Sequence, residues 1–327
     1  MNRRTVLKAL GIMGIGLHGL SQVASAKGQE VVNGFPSLPI QIGKVKGYIL
    51  TDGYFAAEGL QPILAPGIAP KLLSEEMRKY HFNEQNMEGP INVLLLEIDN
   101  RVILFDTGAG HYFGETAGKL LGNLAGIGIA ASDVTDIIIS HAHIDHIGGV
   151  LNAQGLPNFP NATYHIAARE FDFWFDDKPD FSNSKGDKVG KENIDFARAV
   201  LGKIEDRLQR ISYGEPLFKN IVPELAAGHT GGHTVFTIGS AGRTLHFTTD
   251  LFHSPVLISQ PAWGTAWDSD FDAAVESRQE ILRKRATDRQ AIMGCHLPWP
   301  GIGFIDQEAE AYTWKPFNVM RPVRLKL

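Results

Sequence analysis

The stretch SHAHIDHIGG, residues 140–149, decides how the rest of this sequence is interpreted. It places three of the chain's twelve histidines, together with an aspartate, within the six positions from His141 to His146. A hydrophobic core accommodates few histidines, because each buried ring nitrogen needs a hydrogen-bonding partner. Crowded imidazoles also repel one another once they are protonated, and a bound metal cation keeps them neutral. The spacing therefore predicts a metal site on this segment.

The first 26 residues are predicted to be a signal peptide of the twin-arginine type. Arg3, Arg4 and Lys8 precede the apolar run ALGIMGIGL, and the segment closes with the small residues ASA. The alternative is a retained membrane anchor, which the shortness of the apolar run disfavours. We therefore expect residues 27–327 to form a single domain, exported to the periplasm or secreted, with no membrane attachment after cleavage.

The composition excludes some classes of partner. The chain has 327 residues, of which 43% are apolar and 20% charged, as in an ordinary globular protein. Loss of residues 1–26 would leave a net charge of −8, which argues against a nucleic-acid partner because such proteins carry a basic surface. Cys295 is the only cysteine, so no intramolecular disulfide can form, and we expect this side chain to pack in the core.

Strand and helix patterns alternate along residues 27–327, which predicts one layered α/β domain. VKGYILTDGYFA is predicted to be a hairpin that turns at Asp52-Gly53, and INVLLLEIDNRVILF to be two strands joined at Asp99-Asn100. Residues 192–211 have the pattern of one amphipathic helix. The apolar strand DIIIS ends at Ser140, so the histidine segment lies where a buried strand ends, a usual place for a site in α/β sheets.

Four further stretches share a format, an apolar strand that ends in a side chain able to bind metal or to support a ligand. They are VILFDTG at Asp106, LAAGHTGGH at His229 and His233, LHFTTD at Asp250, and AIMGCH at His296. Strand ends at one edge of a sheet converge, so these side chains are expected to meet the histidine segment. Two ions are thereby predicted, one held by His141, His143 and His229, the other by Asp145, His146 and His296, with Asp250 bridging them.

The hexapeptide HAHIDH matches the HxHxDH signature of the metallo-β-lactamase superfamily, and the other stretches follow in that family's order from about residue 40 onward. The resemblance implies an αβ/βα four-layer sandwich and two zinc ions, or another divalent metal, on the seven ligands named above. It also implies that Asp106 orients the metal loop without binding metal, and we expect a similar supporting role for His233. DTGAGHYFGETAGKL, FPNATYHIAAREFDFW and HLPWPGIGFI resemble the exported methyl parathion hydrolase group, whose relatives include quorum-quenching lactonases.

The reaction implied by this resemblance is hydrolysis of a neutral lactone, aryl ester or organophosphate triester by a hydroxide that bridges the two ions. Many lactonases carry a tyrosine three residues after the bridging aspartate, where this chain has His253. We expect His253 to be catalytic beside Asp250, as a proton donor to the leaving group. A wall for a small, hydrophobic, uncharged substrate is predicted from five aromatic residues: Phe113, Trp174, Trp263, Trp267 and Trp299.

Three alternatives stay open at this point. The same ligand frame could hold a single iron ion in a dioxygenase, or could serve a hydrolase of cyclic amides, although class B β-lactamases place a cysteine where Asp250 stands. A non-catalytic metal-binding sensor would be expected to lack at least one ligand. The oligomeric state is open between a monomer and a homodimer, since relatives are often dimers.

Overall fold

The computed structural model describes residues 37–186, 190–318 and 325–327. The predicted signal peptide, residues 1–26, lies outside the described residues, so cleavage and export stay predictions. In the described part of the chain, no helix has the length and apolarity needed to cross a membrane.

The described strands form two sheets. The first contains β1 (Leu38–Ile42), β2 (Val45–Ala57), β3 (Met87–Ile98), β4 (Arg101–Phe105), β5 (Asp136–Ile139), β6 (Thr163–Ala167), β7 (Leu208–Ile211) and, from the end of the chain, β14 (Leu325–Lys326). The second contains β8 (Ile221–Leu225), β9 (Thr234–Ser240), β10 (Arg243–Phe247), β11 (Ala291–Met293), β12 (Ile302–Glu308) and β13 (Ala311–Pro316). The strand orders are β14-β1-β2-β3-β4-β5-β6-β7 and β13-β12-β11-β10-β9-β8.

Seven α-helices are described: α1 (Pro70–Lys79), α2 (Leu120–Gly126), α3 (Ile144–Ile147), α4 (Ala168–Phe175), α5 (Gly190–Leu201), α6 (Val256–Ser259) and α7 (Phe271–Asp288). The longest of these helices, α7, has the sequence FDAAVESRQEILRKRATD. Asp270 caps α7, because its carboxylate accepts a hydrogen bond from the N–H of Ala273. The connection at Asp99-Asn100 between β3 and β4 is the predicted tight turn, with Asp99 at a φ of 53°.

The two sheets pack face to face through alternate strand residues, because successive side chains of a strand point to opposite faces. Phe105 of β4 contacts Phe236 of β9 and Phe247 of β10 edge to face, at centroid distances of 5.2 and 5.5 Å. The neighbouring residue of β4, Leu104, belongs to the other buried cluster, which includes apolar residues of the helices. Sheets inside and helices outside give the predicted four-layer sandwich, and the fold prediction is confirmed.

The predicted hairpin at Asp52-Gly53 is wrong. β2 runs without a turn through Asp52, with a β-bulge between Thr51 and Gly53, where Gly53 has a φ of 121°. An Asp-Gly pair favours a turn when the carboxylate bonds to its own local backbone, but the Asp52 side chain is buried against a distant segment. It accepts hydrogen bonds from four backbone N–H groups in the segment that follows β4: those of Ala109, Gly110, Gly118 and Leu120.

The predicted helix over residues 192–211 is too long. α5 ends at Leu201, and Leu208–Ile211 forms β7, which pairs in parallel with β6. Gly202 ends the helix, and the N–H of Gly202 bonds to the carbonyl of Arg198. A short apolar run does not distinguish helix from strand by its spacing, so pairing with β6 decides the structure of this segment.

Candidate metal centre

The candidate metal centre is built from loops at strand ends. β5 ends at Ile139 and leads into the loop and helix α3 that carry the HxHxDH motif. The segments after β4 and β10 turn sharply, with Asp106 at a φ of 60° and Thr249 at 46°, a left-handed conformation that non-glycine residues seldom adopt. Residue Gly149 needs to be glycine, because a Cβ there would lie 2.0 Å from the Thr107 carbonyl oxygen.

The seven side chains predicted as metal ligands converge in two groups. In each group, one ligand atom from every residue lies within 4.8 Å of the others: His141, His143 and His229 in the first; Asp145, His146, Asp250 and His296 in the second. Asp250 joins the two groups, since its Oδ2 lies 3.4 Å from His229 Nε2 and 3.0 Å from His296 Nε2. All seven are buried except Asp145, whose side chain is 15% exposed.

The orientation of the imidazole rings shows that this donor set fits a cation. His229 Nδ1 faces Asp268 Oδ1 at 3.0 Å, and His296 Nδ1 faces the Pro90 carbonyl at 2.8 Å. Both partners only accept, so both Nδ1 atoms carry hydrogen, and in the neutral form of each ring the Nε2 atom turns a lone pair inward. His143 Nδ1 then lies 2.9 Å from His229 Nε2, and His296 Nε2 lies 3.0 Å from a carboxylate oxygen of Asp250. Lone pairs this close repel unless a proton or a metal ion lies between them.

The buried carboxylates of the centre stabilise positive charge on the groups beside them. Burial lowers the pKa of His296, but Asp250 and Asp145 outweigh it and raise that pKa to about 10. Asp250 and Asp268 similarly raise the pKa of His229 to about 9 against the effect of burial. A divalent metal competes with these protons for the same nitrogens, since only the neutral imidazole binds metal. Imidazole and carboxylate donors in this number suit a divalent ion such as zinc.

Asp106 and His233 support the ligands. Asp106 Oδ2 accepts hydrogen bonds from His146 Nδ1 at 2.8 Å and from the Ser140 hydroxyl at 2.6 Å, so it fixes the ring whose Nε2 faces Asp250. His233 Nδ1 donates to the Ala226 carbonyl, and its Nε2 accepts from the Thr249 hydroxyl at 2.7 Å and from the N–H of Asp250. Burial lowers the pKa of His233 to about 3, which keeps this ring neutral.

Glu170 also supports the metal ligands, and the pattern of ligands at strand ends did not indicate it. Its fully buried carboxylate accepts from the N–H of Ala142 at 2.9 Å and from the Trp174 indole through Oε1. Its Oε2 accepts from the Thr230 hydroxyl and from the N–H of Gly232 at 3.0 Å. Glu170 therefore joins the loop of His141 and His143 to the loop of His229. It lies inside helix α4, where a lone glutamate gives no signal of such a role.

Asp268 is a second missed component. It accepts from His229 through one oxygen and from the N–H of Thr265 at 2.9 Å through the other. His229 and Arg278 outweigh burial and lower the pKa of Asp268 to about 2, so it stays ionised. It follows no apolar strand, which is why the strand-end pattern overlooked it.

His253 lies at the centre, whereas Cys295 belongs to neither of the two ligand groups and lies near Asp106 and His146. His253 Nε2 is 3.3 Å from Asp250 Oδ2, while His253 Nδ1 is buried without a hydrogen-bonding partner in the described part of the chain. Burial lowers the pKa of His253 to about 4, so its imidazole is neutral near pH 7. Cys295 packs in the core between the sheets, as predicted, and burial raises the pKa of its thiol.

A narrow cleft opens above the ligands. Its aromatic lining consists of Phe55, Phe113 and Trp267, and Asn193 of α5 adds an amide. Phe113 and Trp267 were predicted for this wall, whereas Phe55 and Asn193 were not.

The other three predicted aromatic residues lie elsewhere. Trp174 is fully buried beneath the centre, where its ring contacts His143 edge to face at 5.7 Å. Trp263 packs against the core, and Trp299 is 36% exposed outside the cleft. Trp174, Trp263 and Trp299 therefore do not line the cleft, and the prediction that they form the substrate wall is wrong. Proximity in sequence to a ligand does not fix the direction of a side chain.

Comparison with known proteins places the chain in a family. Residues 86–296 match the family model of the metallo-beta-lactamase superfamily, and the chain therefore belongs to that superfamily. A probable metallo-hydrolase of Mycobacterium tuberculosis is 30% identical over 129 residues. That alignment covers 32% of this chain and 39% of the relative, so it spans about two-fifths of the relative's length.

Two solved structures are similar over most of their length. AidC, described as a dizinc quorum-quenching lactonase, is 36% identical with a TM-score of 0.83, and the match covers 88% of this chain and 99% of AidC. The hydrolase AbOPH is 27% identical with a TM-score of 0.80, and the match covers 90% of this chain and 100% of AbOPH.

Proposed function

We propose that this protein is a dizinc hydrolase that cleaves a neutral ester-type bond, with a lactone or a carboxylic ester as the favoured substrate. The observation that carries the proposal is the pair of ligand groups joined by Asp250. Similarity to AidC, a dizinc quorum-quenching lactonase solved in complex with an acyl-homoserine product, supports both the metal count and the substrate class.

The first zinc would be held by His141, His143 and His229, the second by Asp145, His146 and His296, and both by Asp250. When bound, zinc lowers the pKa of water to make a nucleophile at neutral pH and polarises a substrate carbonyl.

The chain's own residues prepare this chemistry. Asp268, Asp106 and the Pro90 carbonyl each hold a proton on the outer nitrogen of a ligand histidine, so that the inner nitrogen stays free to bind metal. The rings of Phe55 and Trp267, in edge-to-face contact at 5.5 Å, exclude bulk water from one wall of the cleft. His253, which is neutral near pH 7, is placed to hold a proton at Nε2 beside Asp250 and to donate a hydrogen bond to the leaving group.

The test measures metal content and hydrolysis on the same purified protein. The panel contains an acyl-homoserine lactone, an aryl acetate, methyl parathion and a cephalosporin. We expect about two zinc ions per chain and turnover of the lactone or the acetate.

Other outcomes would contradict the proposal. One iron ion per chain with no hydrolysis would favour a dioxygenase in the same ligand frame. Turnover of the cephalosporin alone would favour a hydrolase of cyclic amides, and turnover of methyl parathion alone would move the substrate class to phosphotriesters.

A further inference from the structure

Asn92 is a buried residue of β3 that contacts the loop carrying His296. Phe105, the last residue of β4, pairs with Leu94, so Asn92 lies beyond the end of the neighbouring strand. Its backbone N–H donates to the carbonyl of Cys295 at 2.9 Å, and the residue is 1% exposed. Asn92 therefore joins the first sheet to the segment that follows β11 of the second sheet.

The amide of Asn92 holds the main chain on both sides of His296. Its Nδ2 donates to the Gly294 carbonyl at 3.2 Å and to the Leu297 carbonyl at 2.8 Å. Both partners only accept, so only the NH₂ end of the amide fits between them. Its Oδ1 is buried without a hydrogen-bonding partner in the described part of the chain, so the two donated bonds are the ones that fix this side chain.

Gly301 leaves the space that this amide fills. A Cβ at Gly301 would lie 2.5 Å from Asn92 Nδ2 and 2.6 Å from the Gly294 carbonyl oxygen, and Gly301 has a φ of 75°. Its carbonyl accepts from the N–H of Gly294 at 3.0 Å. The loop over residues 294–301 thus closes around the amide of Asn92, and it needs glycine at its far end to do so.

Strand β3 also sets the direction of the His296 ring. The Pro90 carbonyl, two residues before Asn92, accepts from His296 Nδ1 at 2.8 Å, and His296 Nε2 lies 3.0 Å from Asp250 Oδ2. The Pro90 carbonyl orients the ring, whereas Asn92 fixes the main chain from which the ring extends. Residues 294–301 form neither helix nor strand, so these contacts with β3 decide where the last ligand of the second group lies.

The two ligand groups are held by different residues. Glu170 accepts from the N–H of Ala142 and from the hydroxyl of Thr230, both on loops of the first group. The side chain of Asn92 donates to the loop of His296 in the second group. Loss of one support is therefore expected to leave the other group in place.

We infer that Asn92 is a positioning residue for the second metal ion: it holds the loop of His296, and its loss releases the second ion while the first is retained. This inference rests on the proposed dizinc function. Loss of a group that supports a metal ligand lowers metal affinity about 10–100-fold. The free zinc concentration that half-fills the second site is therefore expected to rise by at least about tenfold.

The test counts zinc per chain after dialysis of the zinc-loaded protein and then titrates zinc back by calorimetry. Asn92→Leu keeps the size of the side chain and removes both donors, so we expect about one zinc ion per chain where the wild type holds about two. Asn123→Leu is the matched control, because Asn123 is another buried asparagine, 8% exposed, whose side chain donates to the Thr51 carbonyl. It should hold as much zinc as the wild type, whereas a general loss of stability would affect both variants alike.

Two combined variants identify the ion that is lost. His296→Ala removes a ligand of the second group directly, so adding Asn92→Leu to it should cause little further loss of zinc. His229→Ala removes a ligand of the first group, so adding Asn92→Leu to it should leave the chain almost without zinc. The reverse pattern would overturn the inference, because it would place Asn92 with the first ion.

The outcomes separate the two proposals. Equal zinc content in Asn92→Leu and Asn123→Leu would overturn the inference alone. Wild-type protein that holds two zinc ions but hydrolyses no substrate of the panel would contradict the proposed function alone, and a wild type with a single ion would contradict both. If Asn92→Leu fails to fold, Asn92→Asp serves instead, because an ionised carboxylate has the same shape and no hydrogen to donate, and the same loss of one ion is expected.

Discussion

The carboxylate of Glu170 accepts a hydrogen bond from the backbone N–H of Ala142 at 2.9 Å, between the first two histidines of the metal motif. Helix α4, which contributes no metal ligand, thereby holds in place the segment that carries four of them. The other oxygen of Glu170 accepts from Thr230 and Gly232, on the loop of His229. The positions of His141, His143 and His229 relative to one another therefore depend on a single buried carboxylate.

Glu170→Gln is expected to loosen the first metal site. Each carboxylate oxygen accepts from two donors, so an amide NH₂ at either position leaves two buried donors without an acceptor. We expect a loss of roughly 3 kcal/mol in the free energy of unfolding and weaker metal retention. Urea unfolding and metal analysis after dialysis measure the two effects.

The matched control for this variant is Asp172→Asn on the same helix, whose side chain is 65% exposed and pairs with Arg210. It should change stability by less than about 1 kcal/mol and leave the metal content intact. Equal metal retention in Glu170→Gln and Asp172→Asn would refute the positioning role of Glu170.

Asp52 is expected to make stability depend on pH. Burial raises the pKa of Asp52 from 3.8 to about 6 despite four hydrogen bonds from backbone N–H groups. Between about pH 4 and pH 6 the folded chain then binds more protons than the unfolded chain, so the free energy of unfolding contributed by Asp52 falls as pH rises through this window. Asp52→Asn removes this contribution.

The measurement is the difference in unfolding free energy between wild type and Asp52→Asn at pH 4 and pH 7. The difference should be larger at pH 4, because the protonated carboxyl tolerates burial better than the carboxylate. A difference that grows toward pH 7 would show that the four N–H groups dominate and that the pKa is lowered instead.

His253→Phe is expected to lower kcat by about 100-fold while the metal content stays near that of the wild type. His253 Nε2 lies 3.3 Å from Asp250, and one of its ring nitrogens lies within 4.8 Å of ligand atoms of His229 and Asp250, but His253 belongs to neither of the two ligand groups. Phenylalanine keeps much of the ring volume against Trp267, whose ring centroid lies 5.3 Å away. Steady-state kinetics and metal analysis on the same sample provide the measurement; a marked loss of metal would identify His253 as a ligand.

Removal of metal is expected to destabilise the fold. The folded chain presents the ligand atoms together and the unfolded chain does not, so bound metal stabilises the fold by about 2.7 kcal/mol at a free concentration of 100 times Kd. Treatment with a chelator should therefore lower Tm by about 5 °C, and added zinc should restore it. An identical Tm in chelator and in zinc would speak against a metal-dependent fold.

The strand-end pattern was sufficient to predict the convergence of the ligands. Side chains such as Asp250 and His296 follow apolar strands, and the ends of adjacent strands meet at one edge of a sheet. The layered fold was predictable for the same reason, since the alternation of strand and helix patterns is a local property of the sequence.

The supporting residues could not be predicted in this way. Glu170 and Asp52 accept hydrogen bonds from backbone N–H groups far away in the sequence, and Asp268 accepts one from the distant ring of His229, so their roles appear only when the chain has folded. Asp52 even gave a misleading signal, because Asp-Gly favours turns in solvated chains. Trp174 was misplaced because the pattern gives the position of a side chain along a helix and not the layer that it enters.

The order of the ligands along the chain has a consequence for synthesis. His141 and His296 are the first and last of the seven ligands. Strands β1–β5 precede His141, and strands β6–β11 lie between the two residues. A nascent chain that has not yet reached residue 229 offers only the four donors of one short segment, without the carboxylate that joins the two groups. The second group is complete only once His296, which follows β11, has been synthesised, so a chain truncated before that residue would lack one ligand of the second metal.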